Sequence, residues 1–258
     1  MDRQARADAL VRATLALADA DLRTRYVASL SNAWPIAALA ETLDAVCERA
    51  EQAEVDARET LVAIVDALNA EGMDDVVQRL REEAAGNSLL ALERVIRLPP
   101  RSHRPTSSAP PVEPDRGRGG SVPLGQRKSL ARRPDRDTLS RMLLDPHPDV
   151  IRRCLANPRL VEDDVIRLAA RRPGRPEVLA EIARSRWVHR PRVRMTLVMN
   201  PATPLEVVVR LAGLLLRPEL TMAARSPAVA APVRAICLEH LERRPPVEDP
   251  DASEPDLQ

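Results

Sequence analysis

Few residues of this chain stand at spacings that could do chemistry. From Gly120 to Ser129 the order Gly120, Gly125, Lys128, Ser129 approaches the G-x-x-x-x-G-K-[ST] phosphate loop. In that loop, backbone N–H groups surround the phosphates and a lysine reaches them. Here the lysine comes two residues late, no strand precedes it, and Pro123 removes a donor. The segment reads as linker. His103, His147, His189 and His240 are scattered, with no carboxylate or cysteine at ligand spacing, and read as solvated turn histidines. Glu162, Asp163 and Asp164 fall at the start of a helical pattern, where carboxylates complement the helix dipole. Cys47, Cys154 and Cys237 are odd in number, far apart and without C-x-x-C spacing, which excludes a disulfide framework and a zinc knuckle. No catalytic, cofactor-binding or metal-ligating set is expected.

The remaining candidates are arginines. Arg132, Arg133, Arg152, Arg153, Arg171 and Arg172 form pairs, joined by Arg192 and Arg194. Aligned on one face they would make a stripe for a nucleic acid or another polyanion. As helix-end residues they would instead complement C-terminal carbonyls and cover solvent faces. The second reading is preferred. Lys128 is the only lysine and Phe is absent, the pattern of a GC-rich bacterial genome, which by itself inflates arginine. Trp187 is the only aromatic residue after position 123, so stacking platforms for single strands are lacking, and it reads as packing within a widened repeat interval.

The elements that must position these residues are helical. Ala and Leu dominate, and the aromatic set is Tyr26, Trp34 and Trp187. Residues 1–98 carry 11 basic and 18 acidic side chains, a net of −7, and read as an acidic helical bundle. Ile36, Leu39, Ala40, Leu43, Cys47 and Ala50 share one helical face, in a helix expected to start after Ser31-Asn32 with Pro35 in its first turn. A second helix carries Leu61, Val62, Val65 and Leu68 and stops near Gly72, with weaker patterns at 10–18, 22–30, 76–84 and 89–96. Residues 99–123 turn abruptly to Pro, Ser, Gly and Arg, the composition of a disordered linker. Residues 124–244 carry 24 basic and 13 acidic side chains, a net of +11, and residues 245–258 form an acidic tail of net −5, read as disordered.

Within the basic half the chain repeats itself. His147–Ala169 aligns without gaps to Arg190–Ala212, matching at Pro148/Pro191, Val150/Val193, Asn157/Asn200, Pro158/Pro201, Val165/Val208 and Arg167-Leu168-Ala169/Arg210-Leu211-Ala212. A shorter signature, an acid followed by aliphatics three and four apart, starts at Asp137, Asp163, Glu177 and Glu206. Thr203, Pro204 and Glu206 are placed for a capping box. Each helix spans two or three turns before a stop at Pro134, Pro158, Pro173, Pro201 or Pro227. Helices this short need neighbours to bury their stripes, which is the logic of an α-solenoid.

Asn-Pro-x-Thr-Pro-x-Glu-Val-x-x-x-Leu-Ala at 200–212, its copy at 157–169 and the Val193-Arg194 pair resemble the leucine-rich repeat variant family, a cousin of HEAT-like arrays. The resemblance covers roughly residues 130–237 and implies a superhelix of alternating α- and 3₁₀-helices. The proline stops fall at irregular intervals, and nothing corresponds to the iron–sulfur segment of one family member. The expectation is an all-α chain, non-enzymatic, binding a protein partner through its array or serving as a scaffold, without a cofactor. The alternative is nucleic-acid or polyanion binding through the eight arginines. No run reaches membrane-spanning length, and the cytoplasm is the expected location.

Overall fold

A computed structural model describes residues 2–70, 72–98 and 122–245. The expected disorder of residues 99–123 and 245–258 falls outside the described residues, except for Val122, Pro123 and Pro245. Among the described residues there are fifteen α-helices, one 3₁₀ turn and no strand. The fold is all-α.

Six helices build the N-terminal bundle: α1 (Arg3–Leu15), α2 (Ala20–Ala33), α3 (Ile36–Glu51), α4 (Val55–Asn69), α5 (Asp74–Gly86) and α6 (Leu90–Ile96). Helix α3 lies at its centre, in contact with α1, α4, α5 and α6. Its stripe is buried as spaced: Leu39, Ala40, Leu43, Cys47 and Ala50 are all at most 3% exposed. The start of α3 differs from the expectation. Ser31 and Asn32 belong to α2, and Pro35 precedes the helix rather than lying in its first turn. The Ser31 hydroxyl donates back to Ala28 O at 2.7 Å, so it serves its own helix instead of capping the next. Gly72 follows α4 with φ +85°, a conformation that side chains with a Cβ avoid.

The second half stacks α7 (Leu124–Leu130), α8 (Arg136–Met142), α9 (Pro148–Leu155), α10 (Glu162–Ala169), α11 (Pro176–Ala183), a 3₁₀ turn (Arg186–His189), α12 (Pro191–Met199), α13 (Leu205–Ala212), α14 (Arg217–Arg225) and α15 (Ala231–Arg243). Helices two apart pack together, α7 on α9, α9 on α11, α10 on α12 and α13 on α15, which makes two layers. The narrow stripes point inward: Leu139, Val165, Leu168, Leu179, Ile182, Val208 and Leu211 are at most 4% exposed. Burying each such side chain stabilises by about 1.5–3 kcal/mol. The acids of the signature, Asp137, Asp163, Glu177 and Glu206, all sit in first helical turns.

The capping box at Thr203 is not formed. The Thr203 hydroxyl donates to Leu197 O at 2.6 Å, and α13 starts without a side-chain cap. Thr203 is 3% exposed, so its hydroxyl satisfies a carbonyl at the end of α12 that water does not reach.

The asparagines matched between the two internal copies, Asn157 and Asn200, join neighbouring repeats. Asn157 Nδ2 donates to Ala131 O and Arg133 O at 2.9 and 2.8 Å, while its Oδ1 accepts from Arg159 N at 2.9 Å. Asn200 repeats the geometry, donating to Ala169 O and Arg171 O at 2.7 and 3.1 Å and accepting from Ala202 N at 3.0 Å. Each amide thus closes the C-terminal carbonyls of an earlier helix, groups a helix cannot satisfy by itself. Gly174 allows this approach: a Cβ there would lie 2.9 Å from Ala202 Cβ and 3.2 Å from Asn200 Nδ2.

Candidate functional site

The arginines are mostly consumed by the array itself. Arg152 forms a bidentate pair with Glu181 at 2.7 and 2.8 Å. Arg171 donates to Leu143 O at 3.2 Å and Arg172 to Met199 O at 3.1 Å, both at ends of other helices. Arg192 pairs with Asp163 at 3.1 Å. Arg194 is 8% exposed and donates inward to Val188 O and His189 O at 3.1 and 3.0 Å. Arg132, Arg133 and Arg153 are exposed, and their guanidiniums make no hydrogen bond or ion pair with the described residues. Five of the eight are thus held by partners on other elements of the array.

Acids are engaged in the same way. Asp164 is 5% exposed and takes Arg136 from α8 and Arg167 from its own helix. The Arg136 guanidinium holds the Asp164 carboxyl below the usual carboxylate range. Lys128, the lysine of the near-miss phosphate loop, pairs with Asp149, and residues 125–129 are helical, while Gly120 lies outside the described residues.

Among the described histidines, His147 and His189 lie at turns as expected but are half-buried and engaged, and His240 departs from the expectation. His147 Nδ1 accepts from Asp149 N at 3.1 Å and caps α9. His189 Nε2 lies 3.1 Å from Asp66 Oδ2, a carboxylate 12% exposed, and burial pushes the Asp66 carboxyl up to about 6. His240 is buried at 1% exposure on α15, where burial and the nearby Arg244 push it down to about 3. The missed pairing of His189 with Asp66 joins the two halves of the chain and had no local signal. His103 lies outside the described residues. Trp187 is 8% exposed and its Nε1 donates to Leu155 O at 2.9 Å. The three cysteines are buried and free; burial pushes the Cys154 thiol up to about 12 and that of Cys237 to about 11. Among the described residues no group of three or more His, Cys, Asp or Glu side chains could hold a metal ion.

The two halves meet directly. Helix α6 packs on α13, Val95 lies against Gly213, and Arg97 pairs with Glu239 at 2.6 Å. Away from that seam the array presents an apolar groove of about 330 Å³. It is lined by Leu144, Pro146, Leu168, Pro173, Val178 and Leu179, and Leu144 is 65% exposed.

Comparison of the chain with protein families, curated proteins and solved structures finds no match. Among the described residues no helix is long and apolar enough to cross a membrane.

Proposed function

We propose that the chain is a non-enzymatic interaction or scaffold protein of the bacterial cytoplasm, a relative of the leucine-rich repeat variant and HEAT-like arrays, and that its array binds a protein partner. The observation that carries this reading is the groove beside Leu144. A leucine two-thirds exposed next to an apolar trough gains stability when another apolar surface covers it. Arg171 and Arg175 edge the same groove and suit a partner with carboxylates beside its apolar contact.

The polyanion reading rests on Arg132, Arg133 and Arg153, the exposed guanidiniums with no partner among the described residues. Three phosphate contacts make a weak, salt-sensitive site. A salt titration of binding to duplex DNA separates the two readings. Feeble, sequence-independent binding that disappears near physiological salt is expected. Sub-micromolar binding at physiological salt, abolished by Arg132→Gln, Arg133→Gln and Arg153→Gln together, overturns the protein-partner reading.

A further inference from the structure

The seam between bundle and array opens into two adjoining cavities. One, of about 350 Å³, lies among Leu68, Val77, Arg81, Ala183, Arg184 and Arg210. The other, of about 600 Å³, continues past the α4–α5 turn to Arg152, Glu181 and Arg186. Asn69, Asp74 and Arg184 line both, so they form one continuous cleft. Its lining is mostly polar, with apolar side chains from Val77 on the bundle and Ala180, Ala183 and Val207 on the array.

The charges around this cleft are out of balance. Arg81 and Arg210 are half-buried, and neither has a carboxylate in ion-pair contact among the described residues. Arg81 is fixed by donation to Ile96 O, and Arg210 by donation to Asn69 Oδ1. Both bonds hold the guanidinium in place without neutralising it. Arg184, exposed at the mouth, faces Glu181 at 3.6 Å, and Glu181 already takes the bidentate Arg152. Glu206 and Asp74 stand on the exposed rim. Burial lowers the Arg210 guanidinium and the charge of Arg81 lowers it further, with Arg184 acting in the same direction and the rim carboxylates Glu206 and Asp74 opposing them. Like charges held in a partly dry cleft cost stability that a bound anion returns.

We propose that this cleft binds a small molecule carrying two or more phosphate charges, with the phosphates held by Arg81, Arg184 and Arg210 and the rest of the molecule beside Ala180 and Val207. The arginines come from three separate elements, α5, the end of α11 and α13. A tetrahedral phosphate accepts hydrogen bonds from several directions, and guanidinium forks match it, whereas a single planar carboxylate offers two oxygens in one plane. Because α5 belongs to the bundle while α11 and α13 belong to the array, such a ligand would clasp the halves together.

The test uses the full chain and sodium pyrophosphate, with orthophosphate, citrate and sodium chloride at matched ionic strength as the other arms. Calorimetric titration should give saturable binding of pyrophosphate, weaker binding of orthophosphate and none of chloride. Arg81→Gln and Arg210→Gln should each weaken pyrophosphate binding roughly tenfold, the loss expected for a charge-assisted contact worth about 1.4 kcal/mol. Arg184→Gln, at an exposed position that leaves the fold intact, should weaken it as well, while Arg132→Gln, outside the cleft, should not. Equal binding of citrate, an unchanged affinity in Arg184→Gln, or a thermal shift that chloride reproduces would overturn the proposal.

Discussion

The guanidinium of Arg244 donates to the backbone carbonyl of Ala50, across 194 residues of sequence. It also reaches Gly213 O at 2.7 Å and Leu215 O at 3.3 Å, so one buried side chain closes the ends of helices in both halves. Arg244 is 5% exposed, and burial lowers its guanidinium to about 10. The contact ties the bundle to the array through a buried side chain, beside the apolar packing of α6 on α13. Arg244→Met leaves three carbonyls without this donor, and a loss of about 2–4 kcal/mol of unfolding free energy is expected in urea titration. A protease site placed within residues 99–121 supplies the companion test. The two fragments should co-elute even in 1 M salt, because the apolar packing of α6 on α13 is not screened. Elution as separate folded pieces would contradict a shared core.

The asparagine bridges predict a matched pair of losses. Asn157→Ala and Asn200→Ala each strip two carbonyl contacts and one turn contact from a buried site, at about 1–3 kcal/mol apiece. Gly174→Ala should cost more than a typical surface change, since its Cβ meets Ala202 at 2.9 Å. Thermal unfolding that leaves both asparagine variants at the wild-type midpoint would remove the bridging role.

Acid should weaken the fold through His240. Its folded pKa of about 3 lies below the ordinary 6.5, so the folded state holds the neutral ring. The stability this contributes is fully present above pH 6.5 and is lost progressively as pH falls toward 3, because only the unfolded chain takes up the proton. By pH 5 the loss attributable to this ring is about 2 kcal/mol. The difference in stability between the wild type and His240→Leu should therefore shift by that amount in the variant's favour between pH 7.5 and 5. A pH-independent difference would show that the ring does not titrate on unfolding.

What was legible in the sequence was periodic. The stripes at Val165, Leu168, Leu211 and their equivalents, the stops at Pro158 and Pro201, and the acids of first turns all depend on residues within one or two turns of each other. The misses share the opposite property. Asp44 of α3 accepts from Leu92 N at 2.9 Å and caps α6 from 48 residues away, and His189 finds Asp66 in another half of the chain. The expectation that arginines serve helix C-termini held for Arg171 and Arg172, but the helices served are neighbours rather than their own. Asn157 and Asn200 stood out as matched positions, yet their partners appear only once the helices are stacked. The cleft at Arg81 and Arg210 was missed for the same reason, since its walls come from separate halves.

Affinity capture with the full chain, wild type beside Leu144→Asp and beside Arg132→Gln/Arg133→Gln/Arg153→Gln, tests the interaction reading most directly. Leu144 is exposed, so its replacement should leave the fold intact and act on the groove alone. The expected result is a protein retained by the wild type and by the arginine variant, resistant to nuclease, and lost with Leu144→Asp. Retention by Leu144→Asp, with loss on nuclease treatment or in the arginine variant, would contradict it.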